Sequence, residues 1–305
     1  MRDYTRRVGR FAAPILTLAA ALSLNAAALK YEHGQLLRLD PRDESVWVGG
    51  THIEVARRAR QFRRITIRDF SLNSKGILAV SASASMNVGV MTNVVLLFKL
   101  NDPAPPTAQA TGDVFCEHLA WNQTNLLCMG PDFRKMVAGE PHAVLWRLDL
   151  GGDLNPILRR DQFPNGVAPP WKSASLGDPQ LMVSSTASWI WNPSAGSVVR
   201  VPPDFSQIVN FNVSIPERGR SRISMAAWKE TVVALLPIRR RAEEGFTTPY
   251  ALFALDTRTG RWLTASQSLL PRGAQLLAVE NGQAVIWDRR GKGTLLRIRL
   301  DISSR

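Results

Sequence analysis

The side chains from which a catalytic or metal site is built are few and scattered in this chain. His33, His52, His118 and His142 are the complete set of histidines. No two stand at HxH or HExxH spacing, so no metal-binding strand or helix is indicated. Glu117-His118 and Glu140-Pro141-His142 set an acid beside an imidazole, the composition of a general base with its orienting partner. Neighbouring residues of a strand point to opposite faces, however, so adjacency works against a base site here. Ser81, Ser83 and Ser85 alternate along Val80 to Met86 and place three hydroxyls on one side of a strand, as channel-lining groups or as the small residues of an inner strand. The sequence has no GxSxG, P-loop or GxGxxG segment, and Asp153, Asp161, Asp178 and Asp204 do not form a calcium loop. No catalytic residue, metal or cofactor is assigned.

Charge offers more. The chain carries a net charge of +13 with a pI near 10.7. Arginine clusters fall at 57–64, 218–222 and 239–241. A positive field of this kind favours acidic partners such as phospholipid head groups, anionic cell-wall polymers or acidic proteins. Two insertions concentrate it. One, Phe133 to His142, carries Arg134 and Lys135; the other, Arg239 to Pro249, carries Arg239, Arg240, Arg241 and Phe246. Both interrupt a strand pair and are expected to project from one rim, and arginine beside aromatics is the composition of interface hot spots. Nucleic acid is the usual partner of so basic a chain, but the N-terminus argues for export.

Residues 1–28 read as a signal sequence. Arg2, Arg6, Arg7 and Arg10 precede an apolar run from Phe11 to Leu24, and Ala26, Ala27 and Ala28 supply small residues for cleavage, so the mature chain is expected to begin at Leu29. The first 28 residues hold +3 of the charge, which leaves +10 on residues 29–305. An uncleaved membrane anchor is the alternative, since Phe11 to Leu29 approaches the ~20 residues that span a bilayer. Outside the cytosol, Cys116 and Cys128, the only two cysteines, are candidates for a disulfide; two buried thiols are the other reading.

The elements that must position these residues are strands. From about Ser71 the chain alternates short apolar runs with turns and shows no sustained helical period. An apolar strand ending in Asp or Asn, then a short turn that often bears Gly, recurs at Asp40, Asn101, Asp149, Asn192, Asp256 and Asp288. The copies lie about 30 to 65 residues apart, the range of one propeller blade with its insertions. These acids are turn formers that hydrogen-bond their own backbone. A unit of three or four strands has two apolar faces that it cannot bury alone, so units must stack around an axis.

Trp191-Asn192 with Gly196, and Val285-Ile286-Trp287-Asp288, resemble the end of the third strand in WD-repeat blades. Ala251 to Gly260 is similar to the pyrroloquinoline-quinone-type repeat. The resemblance implies an all-β protein with a single β-propeller of about six blades over residues 29–305, five or seven being alternatives and a two-sheet sandwich the competing fold. It carries over no catalytic residue. A first unit is expected from Val46–Val48, Ile53–Ala56 and Ile65–Phe70, and Thr294–Leu300 is expected to close the ring by pairing with the N-terminal region.

The reading that follows is a periplasmic or secreted, monomeric, non-catalytic binding or scaffold module for a protein or an anionic envelope component. The alternatives are an enzyme with a central-channel site (lactonase-like hydrolase, lyase or quinone-dependent dehydrogenase) and a membrane-tethered sensor.

Overall fold

The computed structural model describes residues 29–87, 90–163, 179–193, 195–213, 223–238, 240–242, 245–247, 249–271, 273–289 and 293–302. The expected signal sequence, residues 1–28, lies outside them. Six antiparallel sheets follow one another along the chain, each a simple meander. Blade 1 holds β1 (Leu29–Glu32), β2 (Gln35–Asp40), β3 (Ser45–Val48) and β4 (Thr51–Glu54), followed by the short helix α1 (Val55–Arg58). Blade 2 holds β5 (Arg64–Leu72), β6 (Ile77–Ser85), β7 (Thr92–Lys99) and β8 (Thr107–Gly112). Blade 3 holds β9 (His118–Asn122), β10 (Asn125–Met129), β11 (Ala143–Leu148) and β12 (Leu154–Arg159), with helix α2 (Phe133–Ala138) between its second and third strands. Blade 4 comprises β13 (Gln180–Val183), β14 (Ser188–Asn192), β15 (Ser197–Val201) and β16 (Val209–Asn212). Blade 5 comprises β17 (Ser224–Trp228), β18 (Thr231–Pro237), β21 (Tyr250–Asp256) and β22 (Arg261–Thr264), and the small hairpin β19 (Arg240–Ala242) and β20 (Gly245–Thr247) interrupts it. Blade 6 has three strands, β23 (Gln275–Glu280), β24 (Gln283–Asp288) and β25 (Thr294–Arg299).

The first strand of each blade touches the first strand of the next, and β23 returns to β1, so six inner strands surround an axis. This is a six-bladed β-propeller. Alternation along each strand sends side chains to both neighbouring blades. On β6, Leu78, Val80, Ala82 and Ala84 pack toward blade 1, while Ala79 packs toward blade 3. Five apolar clusters result, one at each junction from blades 1 and 2 to blades 5 and 6. Trp189 and Trp191, both fully buried, fill the junction of blades 4 and 5.

The junction of blades 6 and 1 is built differently. Arg297 Nη2 donates to Tyr31 Oη at 2.5 Å, and the guanidinium lies 5.5 Å from the centre of that ring. Glu280 accepts from Gly34 N at 3.2 Å and stands 3.8 Å from Arg297 Nη1. The ring closes through this polar clasp. The expected sharing of one blade by both chain ends does not occur: among the described residues β25 pairs with β24 alone, and β1 is the inner strand of blade 1.

The expected first unit is also redrawn. Ile65–Phe70 belongs to β5, the inner strand of blade 2, and blade 1 begins 17 residues before Val46, at Leu29. Its opening hairpin alternates charged with apolar residues and turns through His33-Gly34, whose φ values of 50° and 78° suit a two-residue turn that follows strand twist. Asn281-Gly282, at 50° and 73°, repeats that device in blade 6.

The recurring Asp/Asn turn occupies two different places. Asp40, Asn192 and Asp288 end second strands, whereas Asp149 and Asp256 end third strands. The WD-like turns therefore close second strands, not the third strands they resemble. A short acidic turn suits either corner, which accounts for the uneven spacing of the copies.

Cys116, in the connection between blades 2 and 3, is bonded to Cys128 of β10, with Cα atoms 5.1 Å apart. The bridge closes a loop of sequence separation 12, worth about 3 kcal/mol by chain entropy. The Cys116→Ala, Cys128→Ala double variant is expected to keep its all-β circular dichroism spectrum and to lose about 2–4 kcal/mol in urea titration, with no further loss on adding reductant.

Candidate functional site

The inner strands enclose a channel with a cavity of about 1240 Å³. Its walls mix polar with apolar groups, and at most of the junctions a polar side chain of one inner strand holds the backbone of the next blade. Glu32 accepts from Leu72 N and from Ser71 Oγ. Asp69 Oδ2 accepts from Leu119 N at 2.6 Å and from Lys30 Nζ at 2.7 Å, and the ammonium also donates to Leu119 O. Between blades 3 and 4 the link is Asn122 Nδ2 to Ser188 Oγ at 3.0 Å. Gln180 spans blades 4 and 5, accepting from Met225 N and donating to Ile223 O. Ser224 Oγ accepts from Leu276 N at 2.9 Å, and Glu280 completes the circuit at Gly34. Inner-strand backbone groups that have no sheet partner on the channel side are thereby satisfied.

These polar residues escaped the sequence reading because a single Glu, Gln or Ser in a short strand has no distinguishing context. Only the placement of the six first strands around one axis shows what these side chains hold. Burial raises the Glu32 carboxyl from its ordinary 4.5 to about 6, against the opposing pull of Lys30 and its two hydrogen bonds.

The two acid–imidazole pairs are not brought together in the channel: Glu117, His118 and also His33 line it, whereas Glu140 and His142 do not. His142 is buried with Nδ1 2.9 Å from the backbone carbonyl of Glu140, not its carboxylate. His52 stacks on Trp47, and His118 lines the channel. Glu117 is engaged by Arg68 at 2.8 Å. Among the described residues no group of three His, Cys, Asp or Glu is placed to hold a metal ion. The serines of β6 lie on a second strand and are buried, which corrects their reading as channel-lining or inner-strand groups: Ser81 holds Cys116 O, and Ser83 accepts from Arg68.

Arg68 connects the channel to the surface. Its guanidinium lies 4.2 Å from the centre of the Phe115 ring, and Phe115 lies 5.4 Å from Phe133, the first residue of α2. Burial pulls the Arg68 pKa down and the Glu117 pair opposes that pull. The Phe115 loop is seated on Gly130, where a Cβ would fall 1.5 Å from Phe115 O. Helix α2 is capped by the Asp132 side chain, which accepts from Lys135 N, and by Gly139 at φ 71°. It buries none of its residues. Arg134 and Lys135 are exposed, the latter 3.9 Å from Asp132, and Phe133 and Val137, one turn apart, are 47% and 69% exposed.

Long connections between second and third strands occur in blades 2, 3 and 5, and topology puts all three at one end of the propeller, here called the upper face. The blade 2 connection carries Met86, Val90 and Met91, all more than half exposed. The sequence reading missed this apolar group; its signal was an unbroken run of uncharged residues where a turn was due. In blade 5, Arg241 pairs with Phe246 and Arg240 with Thr247 across the hairpin. Arg239 lies outside the described residues. The two expected insertions thus share a face but sit in blades 3 and 5, with blade 4 between them, and the α2 insertion is the one joined to the channel.

No family model and no curated protein matches the chain. Solved propellers resemble it at the level of fold. BamB from Moraxella catarrhalis has a TM-score of 0.45 at 9% identity, covering 89% of this chain and 87% of its own. The β-propeller domain of the Trilobed protease from Pyrococcus furiosus has a TM-score of 0.48 at 8% identity, covering 78% and 69%. Streptogramin B lyase has a TM-score of 0.39 at 10% identity, covering 85% and 89%. The class defined is the β-propeller, a fold that hosts many unrelated activities.

A carboxyl whose pKa is raised by folding favours the folded state below its unfolded value and loses that contribution as pH climbs through its folded value. Glu32 is therefore expected to make the protein less stable between about pH 4.5 and pH 6 and above, by on the order of 1 kcal/mol once its partial exposure is allowed for. Urea titration at pH 4.5 and pH 7 checks this: Glu32→Gln is expected to flatten that difference.

Proposed function

We propose that the protein is an exported, non-catalytic propeller whose upper face binds a protein or anionic component of the cell envelope. One observation carries this reading: Met86, Val90, Met91, Phe133 and Val137 are exposed on the connections of two adjacent blades, with Arg134 and Lys135 among them. Exposed apolar groups edged by cations are the composition of docking surfaces, and loops on a rigid scaffold are where binding concentrates. The net +13 of the chain supports an acidic partner.

The channel supports the non-catalytic part of the reading, since Glu32, Asp69, Gln180, Ser224 and Glu280 are engaged in holding neighbouring strands. Export rests on the apolar segment of residues 1–28 and the small residues Ala26, Ala27 and Ala28 that end it. A retained segment would make the same surface part of a tethered sensor.

Affinity capture from native envelope extract tests the proposal. The purified protein is expected to hold a partner in about 50 mM salt and to release it in about 500 mM, where the Debye length shrinks to a few ångströms. An Arg134→Glu, Lys135→Glu, Val137→Asp triple variant is expected to lose at least tenfold in retained partner while keeping its melting temperature. Equal capture by that variant would remove the upper face from the reading, and turnover abolished by Glu32→Gln would favour the channel enzyme instead.

A further inference from the structure

Among the described residues blade 6 has three strands where the other five blades have four. Its last strand, β25, donates Leu300 N to Gly282 O at its end. Antiparallel ladders bond alternate residues to one partner, so the backbone groups of Leu295, Arg297 and Arg299 point away from β24, toward the open edge. Those three residues are exposed, whereas Leu296 and Ile298 pack on blade 5. An exposed strand edge is a template for a further strand.

The described residues that follow β25 turn back to blade 5. After β25, Asp301 N donates to Ala265 O of blade 5 and Ile302 packs on the same cluster. A second copy would bring Arg297 and Arg299 against themselves.

The charge around the edge indicates what fits. The register places Trp287, Leu295, Arg297 and Arg299 on the side of blade 6 that faces blade 1, because Leu276, Ile286, Leu296 and Ile298 occupy the other side. Blade 1 answers with Arg38, Trp47 and His52, which are register partners on its side away from the blade 2 cluster. Trp47 stacks on His52 at 4.3 Å, and Arg38 lies 5.8 Å from the indole centre. A strand added to β25 would run past Arg38 and Arg299 and the half-buried Trp47 with its exposed partner His52, which also stands 3.6 Å from Asp43; Arg297 is held in the clasp.

We propose that the edge of β25 receives an extended acidic segment of a partner protein as the fourth strand of blade 6. Main-chain bonds to residues 295, 297 and 299 supply the pairing. Arg38 and Arg299 select acidic side chains on the added strand, and Leu295 and the Trp47–His52 stack select apolar ones. This site lies on blade 6 and is independent of the upper face.

The probe is a fluorescent eight-residue peptide of alternating Val and Glu, measured by anisotropy with the purified full-length chain. Binding is expected with N-methylation tolerated on one alternate set of peptide amides and at least tenfold weaker binding with the other set methylated, the signature of one-sided strand pairing. Hydrogen exchange at residues 295, 297 and 299 should slow at least tenfold on binding. Leu295→Pro removes an outward N–H without touching the β24 ladder and is expected to abolish binding. Equal tolerance of both methylated sets, equal binding of a Val-Lys peptide, or no binding at millimolar peptide would overturn the proposal. So would amides at 295, 297 and 299 that are already protected without peptide, which would assign the edge to the chain's own N-terminal segment or, if concentration-dependent, to a second copy.

Discussion

Every other feature of this molecule depends on packing one blade face against the next. A meander of three or four short strands has two apolar faces, and in isolation it would leave both in water. Five of the six junctions are filled by continuous apolar clusters. The sixth is closed by Arg297, Glu280, Tyr31 and Gly34. The protein is thus a stack of six sheets bent into a ring and clasped, and its two terminal blades meet through hydrogen bonds and an ion pair instead of a shared sheet. A clasp of this kind is weaker than an apolar junction per contact, because partly exposed ionic pairs contribute little net stability.

The channel follows from the same constraint. Inner strands have no sheet neighbour toward the axis, so their outward-turned amides need partners, and side chains of the adjacent strand supply them. The carboxylates, amide and hydroxyl of Glu32, Asp69, Gln180, Ser224 and Glu280 are occupied in stitching strands together. Glu32 shows the cost: its carboxyl is held among Ser71, Leu72 and Lys30 in a setting that disfavours ionisation. At the periphery the connections between second and third strands are free to lengthen, as they do in blades 2, 3 and 5.

Parts of this were legible beforehand. The strands of blades 3 to 6 are written as short apolar runs, and the Cys116–Cys128 spacing fits neighbouring strands. The phase of the blades was not legible. Asp149 and Asp256 turn between third and fourth strands while Asp40, Asn192 and Asp288 turn between second and third, and a local turn signal carries no information about which corner of a sheet it serves. The opening hairpin of blade 1 was missed because Lys30, Glu32 and Gln35 interrupt its apolar pattern, and Lys30 and Glu32 are there to hold residues of blades 2 and 3.

Sequence alone determined the all-β character, the repeat that demands radial packing, the basic charge and the two cationic insertions, since each of these is a property of local pattern or of summed composition. Tertiary structure alone decided that the serines of β6 are buried supports, that Arg68, Phe115 and Phe133 form one path from channel to surface, and that Arg297 and Tyr31 clasp the first blade to the last. Those facts arise between residues 15 to 266 positions apart. Their physical reason is ring closure, which brings together side chains that no local pattern relates.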